Sequence, residues 1–527
     1  MKRLVAFGAM LLSVTLALPG AASAAASASP KQPEATVAAS HQGGSLTTLE
    51  NSGFLGGWTG FDPPVTTSQS EFEPYVLGVL FDDGPHYKLV PDLATSYSVT
   101  DGGLTLTVHL RQGVTFSNGD PFNASVVAFN WKRDIDPTLP NGPQNIINWP
   151  MSSVDTPDNY TVIAHFSKVF APVASELAPP STFGLTVDPV ALQKMGEAAY
   201  NINPVGAGPF EVVSDKPSAD LMLKRNPGFW KKGFPKLDSI HFEPIGTDES
   251  AYEALISGQA QVYEGLQTVS LVGQAQRSKQ LGVYALPANA PYVIQLNTSK
   301  PPFNNLQARE AIYYATDAAA IDKHLFNNRY PLTETPTGPG GLFYGPNVSG
   351  YRTYHPAKAK AIVKQLGGMH IQLGTINLLP ENETDEALQA EWQQAGITAT
   401  LNSYNLTSII GQFRANSWQA MLQAAGNYDP ALGIGVAFRF ASSSVFSGVH
   451  DPNLDALFNA ATSTTNNAAR AADYRKAFKY MSDQAYAPFL FNVPVYELYN
   501  KKVTGVPPPA GVGGLFPVIN WMKVGIK

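Results

Sequence analysis

The stretch from Leu89 to Arg133 reads LVPDLATSYSVTDGGLTLTVHLRQGVTFSNGDPFNASVVAFNWKR. Apolar residues alternate from Tyr97 to Leu110 around the turn 101–103, and this pattern predicts a β-hairpin. From Asn123 to Arg133 the apolar residues have helical spacing, which predicts a helix that begins after a turn. The stretch therefore places strands and a helix close together in the chain.

The rest of the chain continues this alternation. Residues 160–166 predict a further strand, and residues 306–326, 357–366 and 385–395 predict helices. Strands that alternate with helices are typical of the α/β class. At 527 residues the chain is too long for a single hydrophobic core, which stops growing near about 250–300 residues, so we expect two lobes or more. No low-complexity linker separates them, so short crossing strands should join them.

Composition and charge exclude several classes of function. The formal net charge is −6 and no Lys/Arg-rich run occurs, so we expect no nucleic-acid partner. The chain has no Cys, which rules out disulfides, thiolate metal sites, a Cys nucleophile and a lipid anchor on Cys. We expect a monomer.

The first residues resemble an export signal. Lys2 and Arg3 precede an apolar run from Leu4 to Leu18, and small residues follow. A membrane anchor is the alternative, but this run is shorter than the roughly 20 residues that span a bilayer. We therefore predict a signal peptide over residues 1–24, cleaved after Ala24 or Ala28, and a disordered leader over 25–44. The mature protein should be periplasmic or at the cell surface.

Catalytic and metal-binding patterns are missing from the sequence. The nine His residues include no pair at the i, i+4 spacing of a helical zinc site. No G-x-S-x-G, S-x-x-K, P-loop or G-x-G-x-x-G motif occurs. Acidic pairs such as Asp82-Asp83 are more often solvated than catalytic. We expect no enzyme activity, no metal and no cofactor.

An ordered series of landmarks resembles the family 5 extracellular solute-binding proteins, which serve ABC importers of dipeptides, oligopeptides and nickel. The landmarks are Leu89–Ala94, Tyr97–Val99, Asp101-Gly102, Leu110–Val114, Asn118–Phe122, Pro204–Phe210, Arg225–Trp230, Phe234–Ile240, Gln295–Asn297, Ala308–Ile312, His355–Ala359 and Asp451–Asp455. The resemblance implies an α/β, two-lobed periplasmic-binding-protein clamp of type II, in the large variant with an extra subdomain in lobe I. It also implies that the protein captures an oligopeptide or other small solute and delivers it to permease and ATPase subunits.

Domain boundaries follow from the same resemblance. Lobe I is predicted over residues 45–288, with the extra subdomain over about 75–200. Lobe II is predicted over 289–489, and residues 490–527 should return to lobe I.

The chain departs from the peptide binders at two places. Gly426 lies where those proteins carry an Asp that holds the ligand amino group, and residues 378–385 contain no Arg for a ligand carboxylate. A buried carboxylate without a cationic partner is costly, so a zwitterionic dipeptide should fit poorly. An oligosaccharide, bound by aromatic and amide groups, or a longer peptide are the alternatives.

Candidate ligand-binding residues are chosen by loop placement and chemistry. They are Trp58, Trp149, Trp418, Asn427, Tyr428, Asp429 and Arg439. A large aromatic residue can equally pack a core, and Arg439 can equally extend along the surface.

Two other classes of function remain open. A sensory receptor could use the same clamp without an importer, and importer genes adjacent to the gene for this chain would separate the two. A secreted hydrolase would turn over a peptide or sugar, whereas a binding protein would be stabilised by it.

Overall fold

The structure of the protein is a computed structural model. It describes residues 43–51, 59–66, 72–84, 88–179, 181–285, 291–377, 381–426, 428–432, 435–494, 496–506 and 519–527. The predicted signal peptide and nearly all of the predicted leader lie outside these ranges.

The strands are β1 (Ser45–Asn51), β2 (Phe81–Asp83), β3 (Leu89–Pro91), β4 (Ala94–Thr100), β5 (Thr105–Leu110), β6 (Met151–Asp158), β7 (Thr161–Phe166), β8 (Phe210–Lys216), β9 (Asp220–Arg225), β10 (Ser239–Ile245), β11 (Val262–Leu266), β12 (Leu281–Ala285), β13 (Pro291–Leu296), β14 (Met369–Ile376), β15 (Ile397–Tyr404), β16 (Ala420–Ala424), β17 (Phe489–Asn492), β18 (Tyr496–Asn500), β19 (Val503–Thr504) and β20 (Gly525–Ile526).

The helices are α1 (Glu73–Leu77), α2 (Ala124–Asp134), α3 (Gly142–Asn148), α4 (Pro189–Met195), α5 (Glu197–Ile202), α6 (Asp248–Ser257), α7 (Val269–Arg277), α8 (Leu306–Ala315), α9 (Ala318–Leu325), α10 (Pro356–Gln365), α11 (Glu381–Gln394), α12 (Leu406–Arg414), α13 (Val436–Phe440), α14 (Pro452–Thr462) and α15 (Asn467–Asp483).

A seven-stranded sheet organises the first lobe. Its strand order is β12-β18-β11-β1-β10-β9-β8, and β1 runs parallel to both β10 and β11. Apolar clusters cover both faces, one with α1 and the C-terminal residues and the other with α6 and α7. The late strand β18 lies inside this sheet, between β12 and β11.

A five-stranded sheet organises the second lobe. Its order is β15-β14-β16-β13-β17, with β14 parallel to β15 and β16. Helices α8 to α11 pack on one face around a separate apolar core. Strand β17 keeps residues 489–492 in this sheet, so the boundary predicted at residue 490 falls inside a strand. The other predicted domain boundaries stay predictions.

The stretch 89–133 belongs to a smaller four-stranded sheet of order β4-β5-β7-β6. The predicted hairpin is confirmed as β4 and β5, joined through Gly102 at a φ of 66°. The predicted helix is confirmed as α2, whose first turn is capped by Asn123 at 3.0 Å from the Ser125 amide nitrogen. An Asn cap replaces one missing acceptor at the helix start.

Two predicted helices differ from the structure. Residues 306–326 form two helices because Thr316 is extended and the Asp317 side chain caps α9 at 3.0 Å from the Ala320 nitrogen. The helix predicted from Asp385 begins four residues earlier, at Glu381. None of the helices in the described ranges is long and apolar enough to cross a lipid bilayer.

Candidate functional site

The carboxyl ends of the parallel strands mark the candidate site. In open α/β sheets, ligands bind in the crevice outside these ends. In the first lobe they are the ends of β1, β10 and β11, and in the second lobe the ends of β14, β15 and β16. The segment 425–432 leaves β16 at this edge, and it contains three of the predicted site residues.

Asp429 is buried in this segment and engaged by internal partners. Its Oδ2 lies 2.5 Å from Nη2 of Arg470 on α15, and its Oδ1 accepts from the Tyr474 hydroxyl at 3.0 Å. The backbone nitrogen of Ala431 donates to the same Oδ1 at 3.1 Å. The side chains of Asp429 and Arg470 are only 2% and 4% exposed. These contacts fit a structural ion pair that fixes the loop.

Tyr428 lies at the start of the same turn and is partly exposed. Its backbone carbonyl accepts from the nitrogen of Leu342 at 2.8 Å, which connects the loop to the segment between α9 and α10. Burial raises the pKa of its phenol, and the Asp429 carboxylate adds to the shift. Gly426 is buried beside β16, and Asn427 lies outside the described residues.

Arg439 lies on α13, which follows this segment. Its guanidinium carbon lies 5.6–5.8 Å from the ring centres of Phe413, Phe438 and Phe446, and we call these three rings the phenylalanine cage. Its Nε is buried and has no hydrogen-bond partner among the described residues. Burial lowers its pKa to about 10, so the group remains a cation at neutral pH.

Trp418 packs against the same cage. Its ring centre lies 5.2 Å from that of Phe413, the side chain is 4% exposed, and its Nε1 has no acceptor among the described residues. The structure thus brings two predicted site residues, Trp418 and Arg439, into one aromatic cluster. Each of the two contacts Phe413, and their separation of 21 positions gave the sequence no signal of this shared neighbour.

Of the two other predicted tryptophans, Trp149 and Trp58, the structure describes only Trp149. Trp149 is fully buried in the core of the four-stranded sheet, where it stacks on Phe183 at 4.6 Å and contacts Trp131 and Phe166. A packing role therefore accounts for Trp149. Trp58 lies outside the described residues.

A row of glutamates across three interior strands of the seven-stranded sheet was not predicted from the sequence. Glu50 on β1 pairs in register with Glu264 on β11, and Glu264 pairs with Glu497 on β18. The three side chains are 1%, 4% and 0% exposed. Burial and the neighbouring Glu50 raise the pKa of Glu264 well above its usual range. Strand pairing alone brings these residues together, because they are far apart in the chain.

Glu381 begins α11 in the second lobe and is also buried. Its Oε1 accepts from the Tyr292 hydroxyl at 2.7 Å, and burial raises its pKa to about 7. Within the described ranges, no group of three or more His, Cys, Asp or Glu side chains could hold a metal ion.

The two α/β sheets, which the chain links through β12–β13 and β17–β18, have the architecture of a two-lobed binding-protein clamp. The family model for bacterial extracellular solute-binding proteins, family 5 middle region, matches residues 88–449. The chain therefore belongs to the family 5 bacterial extracellular solute-binding proteins. This confirms the resemblance found in the sequence, and the family is one of binding proteins and not of enzymes.

Curated relatives include glutathione-binding proteins GsiB. The GsiB of Escherichia coli O1:K1 is 31% identical over 307 residues, and that of Salmonella typhi is 30% identical over 312 residues. Each match covers 58% of this chain and 58% of the relative. The chain thus matches little more than half the length of these relatives.

Solved structures share the fold at low sequence identity. DppA of Helicobacter pylori in complex with the peptide STSA has a TM-score of 0.81 at 20% identity, covering 92% of this chain and 98% of that one. MoaA of A. tumefaciens R10 in complex with mannopinic acid has a TM-score of 0.81 at 20% identity, with coverage of 92% and 100%. AppA of Bacillus subtilis with a nonapeptide reaches 0.80 at 17% identity, with coverage of 93% and 100%. These likenesses establish the two-lobed fold.

Proposed function

We propose that this chain captures a peptide or another small polar solute outside the cytoplasmic membrane and delivers it to an ABC importer. The observation that carries the proposal is the family match over residues 88–449. The importer's permease and ATPase subunits would be its partners, and the monomer would be the working unit. Domain closure around the solute would use the binding free energy.

The ligand class follows from the relatives and from the chemistry of the edge. Relatives are named for glutathione, a tetrapeptide, a nonapeptide and mannopinic acid, all of them small and polar. Polar and aromatic side chains near the carboxyl ends of the parallel strands suit such solutes. An oligosaccharide is the second candidate, supported by the buried, apolar position of Gly426, where no charge is offered.

A thermal-shift assay on the purified chain tests this proposal. The panel would contain the tetrapeptide Ser-Thr-Ser-Ala, glutathione, mannopinic acid and maltotetraose. A compound at about 100 times its Kd should add about 2.7 kcal/mol to the free energy of unfolding and raise the Tm. Chromatography of the same samples detects turnover. Cleavage of a panel compound would instead support the hydrolase alternative.

A further inference from the structure

Basic side chains collect at the amino edge of the seven-stranded sheet, where the parallel strands β1, β10 and β11 begin. This edge is opposite to the carboxyl ends that mark the candidate site. We call six cationic residues at this edge the basic face, and they are Lys236, Arg277, Lys279, Lys501, Lys502 and Lys527. Within the described ranges, none of the six forms an ion pair.

The end of β18 and the loop before β12 carry four of these cations. Strand β18 is antiparallel to β11, so it ends at the edge where β11 begins. The backbone nitrogen of Lys501, the residue after β18, donates to the carbonyl of Gln280 at 2.8 Å. The Nζ of Lys501 donates to the carbonyl of Ser278 at 2.8 Å. The residues just after β18 and the loop 277–280 are therefore neighbours.

Two further segments join this edge. The backbone nitrogen of Lys527 donates to the carbonyl of Lys502 at 2.9 Å, and its Nζ donates to the carbonyl of Lys501 at 2.9 Å. Lys236 precedes β10, and its carbonyl accepts from the nitrogen of Gly43, just before β1, at 2.7 Å. Segments that are far apart in the chain thus present their cations on one side of the first lobe.

Acidic side chains do not balance the basic face. Asp238, at the start of β10, is already paired with Arg225 at 2.8 Å. The sequence has no Asp or Glu between Glu264 and Glu310, and none after Glu497. Five of the six cations are exposed, and the sixth is partly exposed. Because the whole chain has a formal charge of −6, the positive charge of this face is a local excess.

The width of the basic face indicates the kind of partner that it fits. Its cations extend from the loop before β12 to the residues before β10, which are four strand spacings apart in the sheet. At about 4.8 Å per spacing, this is about 19 Å. Unpaired like charges over such a distance produce a positive potential that attracts an extended negative surface. A single small anion would reach only part of it.

The chain before Gly43 enters the structure at this same face. That part of the sequence contains the apolar run from Leu4 to Leu18, the predicted export signal, which inserts into the membrane during export. Clusters of four to eight Lys or Arg residues next to a membrane segment bind anionic lipid headgroups. Charge and chain connection therefore both favour a lipid surface as the partner.

We propose that the basic face binds the anionic phospholipid surface of the membrane across which the chain is exported. The carboxyl ends of the parallel strands then point away from the lipid, so the candidate site stays accessible to solutes. The inference concerns a different surface from the solute site and does not depend on which solute the protein binds.

Co-sedimentation with vesicles tests the inference, with the chain purified after export. The vesicles contain phosphatidylglycerol and phosphatidylcholine in equal parts, or phosphatidylcholine alone. The chain should bind the anionic vesicles and not the neutral ones. Raising NaCl from 0.1 to 1 M should release it, because the screening length falls from about 10 Å to about 3 Å.

A triple variant removes part of the basic face. In Arg277→Gln/Lys279→Gln/Lys502→Gln, the partition coefficient should fall about fivefold per charge, or about a hundredfold in all. These three side chains make no hydrogen bond among the described residues, so the variant should keep the Tm of the parent chain. The double variant Lys279→Arg/Lys502→Arg keeps the charge and should bind as the parent chain does.

A second triple variant, Lys132→Gln/Lys168→Gln/Lys194→Gln, is the matched control. These lysines are exposed, unpaired among the described residues, and lie outside the basic face, and the variant has the same change in net charge. It should keep the vesicle binding of the parent chain. Solute binding should be the same in all variants.

Each other outcome overturns the inference. Equal binding to neutral vesicles would show an apolar contact, and equal losses in the two triple variants would show an effect of net charge alone. Retention on soluble polyglutamate without binding to anionic vesicles would assign the face to an acidic polymer or protein. Should the first triple variant unfold, the salt release of the parent chain and the Lys-to-Arg variant decide. None of these results bears on the proposed function, which solute binding tests separately.

Discussion

Asp429 stands in the loop where the sequence predicts ligand contacts, yet its carboxylate is occupied from inside the protein. Arg470 and Tyr474 on α15 hold it, together with the backbone of Ala431. A residue can therefore occupy a ligand-binding loop and serve to shape it. Its neighbours Tyr428 and Asn427 stay predictions as ligand contacts.

Replacing Asp429 by Asn should destabilise the protein. The variant leaves Arg470 buried without a counter-charge, which typically costs about 3–5 kcal/mol. Urea unfolding followed by circular dichroism measures the loss. The exposed pair Lys479–Asp483 provides the control, and Asp483→Asn should change stability by less than about 1 kcal/mol. Unchanged stability in Asp429→Asn, with solute binding lost, would contradict the structural role.

Glu381 should make the stability depend on pH. Burial raises its pKa from 4.5 to about 7, so the folded state binds its proton more tightly than the unfolded state. Its contribution is fully present below pH 4.5 and is lost as the pH rises through about 7. The neutral Glu381→Gln variant should escape this loss, with a relative gain of at most about 3 kcal/mol at pH 8.

Thermal unfolding between pH 4.5 and 8 measures this effect. The Tm difference between Glu381→Gln and the parent chain should grow with pH. Glu249→Gln, an exposed substitution on α6, should follow the parent chain at every pH. A constant offset for Glu381→Gln across the range would show that shape, and not protonation, matters at this position.

Among the secondary-structure elements, those that depend on local signals are predicted well from the sequence. The hairpin β4–β5 and the helix α2 depend on neighbouring residues, such as the turn at Gly102 and the cap at Asn123. The break between α8 and α9 depends on the Asp317 cap, a single side-chain hydrogen bond that apolar periodicity does not reveal. To predict helix starts and breaks of this kind, the geometry of the capping side chain must be known.

Two glycines differ in the space around them, because one packs closely against backbone atoms and the other does not. A Cβ on Gly206 would lie 1.8 Å from the Val76 carbonyl oxygen, because the segment 204–210 crosses the end of α1. A Cβ on Gly411, inside α12, would have no atom within 4 Å. Gly206→Ala should lower the free energy of unfolding by about 1–3 kcal/mol, whereas Gly411→Ala should raise it by about 0.5–1 kcal/mol. Denaturation midpoints compare the two, and equal effects would refute the packing of this crossing segment.

At the scale of the whole molecule, the family landmarks predicted the two-lobed α/β fold, and the family match confirmed it. The candidate site was predicted less completely. Arg439 and Trp418 were chosen from loop placement, but the cage formed with Phe413 and Phe446 arises only from tertiary packing. Trp149 packs a core because burial competes with ligand binding for every large aromatic side chain. The ligand-binding role of the remaining candidates stays a prediction.

The central claim is that one chain encloses one unmodified solute. Native mass spectrometry of the purified protein, titrated with Ser-Thr-Ser-Ala, glutathione, mannopinic acid and maltotetraose, tests it most directly. We expect a monomer that takes up one molecule of at least one of these compounds, saturably and with the solute mass unchanged. Failure of every compound to form a one-to-one complex, or the appearance of cleaved solute, would contradict it.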